Sequence, residues 1–237
     1  MSKLISSKID NWLTIAQQAI YPYTCFTCNQ AGHNKLDLCL SCTQDLQVVN
    51  STCRICDIET TLNDSLCGRC LKTTPHFDKV ITLYRYEGIA RFLIQSLKFQ
   101  KKHCCAQIMG TLMAQHISAL NTKPDALIAV PLHSTRLKER GFNQSDEIAN
   151  YLHKRLSIPL INQPLKRVVN TVSQASLKAP ERRKNLSNAF QYQHTDSIQS
   201  VAIIDDVVTT GSTANEIAKT LKKAGVKRVE IWAFARA

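Results

Sequence analysis

Residues 201–213 of this 237-residue chain read Val-Ala-Ile-Ile-Asp-Asp-Val-Val-Thr-Thr-Gly-Ser-Thr. Two adjacent carboxylates, Asp205 and Asp206, stand where four apolar residues would end a buried strand. The turn Thr209, Thr210, Gly211, Ser212 and Thr213 then leads into a helix. Backbone N–H groups of such a turn and the unsatisfied first-turn donors of the helix converge on one anion, a phosphate. The carboxylates would repel that phosphate, so their chemistry is different. They suit the hydroxyls of a phosphorylated ribose, and the segment has the residue types and order of a ribose 5-phosphate site. A receiver domain also places acids at strand ends, but it lacks Thr-Thr-Gly-Ser-Thr after them.

The second set of chemically capable residues is the cysteines. Eight of the ten form four Cys-x-x-Cys pairs, Cys25/Cys28, Cys39/Cys42, Cys53/Cys56 and Cys67/Cys70, each beginning 14 residues after the last. Thiolates two residues apart grip one side of a tetrahedral zinc ion, and two pairs complete a site, so eight ligands imply two structural Zn²⁺. A redox Cys-x-x-Cys acts singly beside a βαβ unit, which four pairs in a row do not match. Sequential pairing (25/28/39/42 with 53/56/67/70) and interleaved pairing (25/28/53/56 with 39/42/67/70) both fit even spacing. The sequential one closes shorter loops and is preferred. His33 could replace one ligand, though eight thiols suffice. Cys104 and Cys105 are adjacent and suit core packing rather than a shared metal.

Charge separates the chain further. Residues 1–75 carry six Lys/Arg and six Asp/Glu, so the net +12 lies on residues 76–237. Two four-thiolate zinc sites would lower the holoprotein to about +8 and make the cysteine module acidic. Attraction to nucleic acid is therefore expected on the later part of the chain, not on the zinc module. No apolar run is long enough for a transmembrane segment, and the polar N-terminus does not suit a secretory signal, so a cytoplasmic location is expected.

The elements that must position these groups follow from periodicity. Leu4, Ile5, Ile9, Trp12, Leu13, Ala16, Ala19 and Ile20 recur at helical spacing before Pro22, predicting an amphipathic helix over 1–22. Its polar face is rich in Gln and Asn, which favours docking on protein over a membrane surface. Residues 23–75 form a double four-cysteine zinc-binding module ending in a short linker. From residue 76 to 237 strands and helices alternate, the signature of an α/β domain with a mostly parallel sheet. Strands are expected at 78–86, 126–131, 159–169, 188–192, 201–205 and 228–234. Helices are expected within 89–117, at 143–156 and at 214–224. The polar, basic stretch 170–187 reads as a flexible loop.

The motifs continue elsewhere: Phe77-Asp78 with Tyr86-Glu87-Gly88; Leu97-Lys98-Phe99; and Val130-Pro131-Leu132-His133 with Arg136. Further on stand Glu139-Arg140-Gly141-Phe142-Asn143-Gln144, then Gln174 with Leu177, and Glu181-Arg182-Arg183-Lys184-Asn185. With the cysteine series and residues 201–213, they make the chain resemble the ComF family, in which a small cysteine-rich zinc module precedes a type I phosphoribosyltransferase-like domain.

The resemblance implies that Thr209, Thr210, Gly211, Ser212 and Thr213 bind the 5-phosphate of phosphoribosyl pyrophosphate (PRPP). It implies that Asp205 and Asp206, the expected catalytic pair, hold the ribose hydroxyls. Pro131, His133 and Arg136 would lie against the pyrophosphate, with Mg²⁺ bridging it to the sugar, and the loop at 170–187 would close over the ligand. It also implies a role in natural transformation, with incoming single-stranded DNA as partner and a DNA-import helicase or recombination proteins as neighbours. Lys98, Arg140, Arg182, Arg183 and Lys184 are candidate contacts for DNA or other anions. Two alternatives stand beside this reading. One is a non-catalytic protein that binds a ribose phosphate and single-stranded DNA; the other is a phosphoribosyltransferase of nucleotide metabolism unrelated to DNA uptake.

Overall fold

The computed structural model describes residues 21–61, 65–120, 123–161, 165–168, 189–193 and 198–237. The expected N-terminal helix, apart from residues 21 and 22, and the expected loop at 170–187 lie outside the described residues. So do Arg182, Arg183 and Lys184. The chain divides into two compact units, Met1–Leu46 and Gln47–Ala237. That boundary falls inside the stretch read as one cysteine module and leaves one group of four cysteines in each unit.

In the first unit, the 25/28 pair sits on a tight knuckle. Cys25 N–H donates to Gln30 carbonyl at 2.7 Å, and Asn29 takes a left-handed φ of 62°. The 39/42 pair opens the short helix α1 (Leu40–Gln44), whose N-cap is Cys39. The second unit repeats this plan 28 residues later. Cys53 N–H donates to Ile58 carbonyl at 2.8 Å, Asp57 has a φ of 55°, and Cys67 caps α2 (Gly68–Lys72).

The rest of the second unit is built on a four-stranded parallel sheet, β1 (Lys79–Arg85), β6 (Arg228–Arg236), β5 (Ser200–Val208) and β2 (Ala126–Ala129), in that spatial order. Its strands are covered on both faces, hence their nearly unbroken apolar runs. On one face Ile128, Val201, Ile203 and Ile231 share a core with Ile217 and Leu221 of α7 (Ser212–Lys223). Against the other face lie α3 (Gly88–Gln100), α4 (Cys104–Ser118) and α6 (Gln144–Leu156), with Trp232 and Phe234 fully buried beneath them. Cys105 is buried in this layer, as its core-packing reading requires. A separate antiparallel pair, β3 (Leu165–Arg167) with β4 (Phe190–Tyr192), packs beside α7.

Three differences from the sequence reading bear on the site. The motif strand does not stop at Asp205 but runs to Val208, because β6 continues to pair with it through Asp205↔Ala233, Val207↔Ala235 and Val208↔Arg236. Residues 134–140, to which the sequence reading assigned no element, form the short helix α5 (Ser134–Arg140). His133 caps it, its Nδ1 accepting from Thr135 N–H at 3.3 Å, and Gly141 ends it at a φ of 84°. The strand expected at 159–169 is reduced to β3, preceded by a single bridge from Leu160 to Leu127.

Candidate functional site

The four cysteines of each group bring their sulfurs within 4.8 Å of one another, as Cys25, Cys28, Cys39, Cys42 and as Cys53, Cys56, Cys67, Cys70. Pairing is thus sequential, and no histidine joins either group among the described residues. A tetrahedral zinc ion with Zn–S bonds of about 2.3 Å needs sulfurs about 3.8 Å apart. Sulfur separations of 3.6 Å between Cys28 and Cys39, Cys28 and Cys42, and Cys56 and Cys67 meet that need. Burial opposes ionisation of Cys25 and Cys53. N–H groups of Cys39, Cys28 and Thr27 around the first, and of Cys56, Cys67 and Ile55 around the second, nevertheless bring both thiols down to about 6. These are two four-cysteine zinc-binding clusters.

The second cluster is built into the core of its unit. Cys53, Cys56 and Cys70 share that core with Phe77, Val80 and Val208. Val80 N–H donates to Ile55 carbonyl at 2.7 Å, and the N–H and hydroxyl of Thr82 both donate to Asp57 Oδ2 at 2.6 Å.

At the carboxyl edge of the sheet, β5 carries the acidic pair. Alternation along the strand puts Asp205 on the face of Ile203 and Asp206 on the face of Ile204. Asp205 is half-buried; its Oδ1 accepts from Ser145 Oγ at 3.2 Å and from the N–H of Asp206 at 2.9 Å. Burial, then the charge of Asp206, push its carboxyl up to about 8, against the pull of Lys98. Asp206 is 2% exposed, and its Oδ2 pairs with Lys98 Nζ at 2.5 Å. Desolvation alone would lower the Lys98 pKa, but Asp206 and then Asp205 hold it above the ordinary value.

Past Val208 the chain turns through Thr209 and Thr210 to Gly211, whose φ of 72° suits a residue without a Cβ. Thr210 Oγ1 lies 2.8 Å from Ser212 Oγ and accepts from Ser212 N–H at 3.3 Å. Gly211 is the N-cap of α7 and supplies no capping side chain. The turn therefore presents hydroxyls and backbone donors at a helix N-terminus, as an anion site requires.

Cations gather near the same edge. Arg140 lies 6.0 Å over the Phe99 ring, and its Nη1 donates to Gln144 Oε1 at 2.5 Å. Arg167 of β3 lies 5.7 Å over Phe190. Burial lowers the pKa of both. Asp206 counters this at Arg140 and Asp205 at Arg167, while Arg136 adds its repulsion to each. Arg140 is thus in electrostatic reach of Asp206 and Arg167 of Asp205, with Arg136 near both arginines. Pro131 and His133 lie between β2 and α5, and Asn143, which caps α6, donates from Nδ2 to Val130 carbonyl at 3.0 Å. For Mg²⁺, an oxygen-seeking ion that takes one or two carboxylates and fills its shell with phosphate oxygens and water, the partly accessible Asp205 side chain is a fitting donor once ionised.

Three residues of this region carried no role in the sequence reading: Ser145, Arg69 and Arg236. Arg69 Nη1 donates to Thr210 carbonyl at 2.6 Å. Arg236 Nη1 donates to the carbonyls of Val208 (2.8 Å) and Thr209. Of these only Arg236 left a trace, as the cation ending the apolar run of the last strand.

A parallel sheet with this turn between a strand end and a helix at its carboxyl edge defines the class as the type I phosphoribosyltransferase fold. The phosphoribosyl transferase domain family matches residues 97–237, and the double zinc ribbon domain family matches residues 16–71. Competence protein F of Haemophilus influenzae is 35% identical over 228 residues, covering 92% of this chain and 98% of that protein. The DNA utilization protein YhgH of Escherichia coli O157:H7 is 33% identical, covering 91% of this chain and 97% of its own length. Competence protein ComFC of Bacillus subtilis is 27% identical, with 85% and 78% covered. The chain belongs to the ComF family.

Proposed function

We propose that this protein binds PRPP, or a closely related ribose phosphate, together with Mg²⁺, and acts with single-stranded DNA in the competence and DNA-utilization processes for which its relatives are named. The observation that carries the proposal is the placing of Asp205 and Asp206 on the strand that runs directly into the turn at 209–213, with Arg167 in electrostatic reach of the first and Arg140 of the second.

In this reading the turn takes the 5-phosphate, Asp205 accepts hydrogen bonds from the ribose hydroxyls, and the arginines face the diphosphate. Mg²⁺, when bound, adds neutralisation of the diphosphate oxygens. Transfer forms a bond from an acceptor to C1 of the ribose as the C1–O bond to diphosphate breaks, its electron pair leaving with the diphosphate. Positive charge gathering on the sugar draws the neighbouring Asp205 carboxyl down from its raised pKa, so that it ionises and stabilises that charge, while negative charge grows where the arginines stand. Lys98, a candidate DNA contact by sequence, is held by Asp206 and serves the site from below.

Single-stranded DNA has a surface suited to it next to this edge. Phe99 is 72% exposed beneath Arg140, Phe142 stacks edge-on to His103 at 5.0 Å, and Lys101 and Lys102 are exposed beside them. Exposed aromatics among cations stack bases and hold phosphates without regard to sequence.

Calorimetric titration of the zinc-loaded protein with PRPP and Mg²⁺ tests the ligand. Binding is expected in the wild type, with at least a tenfold loss in Asp205→Asn. Absence of binding by the wild type would sink the proposal. Diphosphate release on adding DNA or nucleobase acceptors then separates transfer from binding alone.

A further inference from the structure

The turn at 209–213 is held from behind by two arginines that lead to the second zinc-binding cluster. Arg236 is buried, and its Nη1 donates to the carbonyls of Val208, Thr209 and Ala237. The same guanidinium lies close enough to the Cys56 sulfur and to Asp57 for both to favour its charge. Arg69 stands between the ligands Cys67 and Cys70 on α2, and its Nη1 takes the carbonyl of Thr210. Three consecutive carbonyls, those of residues 208, 209 and 210, are therefore drawn toward guanidinium groups anchored on or against the ribbon.

In a planar trans peptide the C=O and the following N–H point in opposite directions, and the described peptide bonds are all trans. Drawing those carbonyls back turns the N–H groups of Thr209, Thr210 and Gly211 the other way, so the donors of an anion cradle are set before any ligand arrives. Preset donors avoid reorganisation on binding. Small four-cysteine ribbons depend on their metal for a fold, so the geometry of Arg69 and Cys56 is only as firm as the zinc at their site.

We infer that the second four-cysteine site is coupled to the phosphate turn, with Arg69 and Arg236 as positioning residues that carry the metal-held shape of the ribbon to the donors of the turn. The inference rests on the reading that the turn takes a ribose phosphate. Coupling of binding is reciprocal: zinc in this site tightens ribose-phosphate binding, and ribose phosphate slows loss of this zinc.

The test uses the full zinc-loaded chain with ribose 5-phosphate as probe. Zinc release to a chelator is followed with a metal indicator, alongside calorimetric affinity. Two release phases are expected in the wild type, with ribose 5-phosphate slowing one of them by about fivefold. That phase should persist in Cys28→Ser, which lacks the first site. Arg69→Gln, an exposed substitution that leaves the core intact, and Arg236→Lys should each weaken ribose 5-phosphate binding by about tenfold while zinc content stays at two per chain. In both variants the slowing of zinc release should shrink. Unchanged affinity in both variants, with zinc release indifferent to a ligand the wild type does bind, overturns the coupling. If the fully loaded wild type binds no ribose 5-phosphate, the ribose-phosphate reading falls, and the coupling with it.

Discussion

Adjacent on one strand, the two carboxylates have different partners: Asp205 accepts from Ser145 at the start of α6, and Asp206 is buried against Lys98 of α3. The two carboxylates have different energetics as a result. Asp206 is buried with a single strong partner. Lys98→Met strands its charge, and urea unfolding should show a loss of about 3 kcal/mol, most of it restored by adding Asp206→Asn. Asp205 behaves differently, because burial and then the charge of Asp206 raise its carboxyl to about 8. Between roughly pH 4 and pH 8 the native state keeps a proton that the unfolded carboxyl has lost, so unfolding releases it and stability falls as pH rises through this window. Asp205→Asn removes that slope. Thermal unfolding at pH 8 should find the variant more stable than the wild type, with the difference closing toward pH 4. A constant difference across pH would contradict the assignment.

Among the elements, the two ribbons share ligand spacing, knuckle and capping helix but differ in what surrounds them. Because Cys53, Cys56 and Cys70 belong to the core of the larger unit, Cys56→Ser should lower the main thermal transition by several degrees as well as removing one zinc. Cys28→Ser should remove one zinc with little shift in that transition. Elemental analysis and calorimetry on the same samples check both. Much of this was legible beforehand. Cysteine spacing reveals the ligands, and apolar runs bounded by turn residues reveal the strands. Even spacing does not say which pairs share a metal; only the fold brings Cys28 to Cys42 and Cys56 to Cys67. The strand through Asp205 and Asp206 overran its expected end because backbone pairing with β6 outweighs the low strand propensity of aspartate. Helix α5 hid in a segment too short and too polar for a periodic signal. Arg69 and Arg236 meet the phosphate turn from 141 and 27 positions away, a distance that no local pattern spans.

At the scale of the molecule, the positive charge lies on residues 76–237, and no helix among the described residues is long and apolar enough to cross a membrane. Affinity for single-stranded DNA should fall steeply with salt. Lys101→Gln with Lys102→Gln should reduce the slope of log K against log salt by about 1.4. Phe99→Ala should weaken binding by about 1 kcal/mol and leave the slope alone. Fluorescence anisotropy over a salt series measures both, and a salt-independent affinity would refute the surface. The sheet order β1-β6-β5-β2 carries one more consequence. Strand β1 pairs only with β6 in that sheet, and β6 is also the strand that brings Arg236 to the phosphate turn. On a ribosome, residues 79–85 would wait for some 150 later residues before finding their partner, a long-range closure of the kind that folds slowly. The turn at 209–213 would be among the last parts of the protein to be held in place, and a nascent chain interrupted before residue 236 would carry an apolar strand with its β6 edge open, for chaperones to cover.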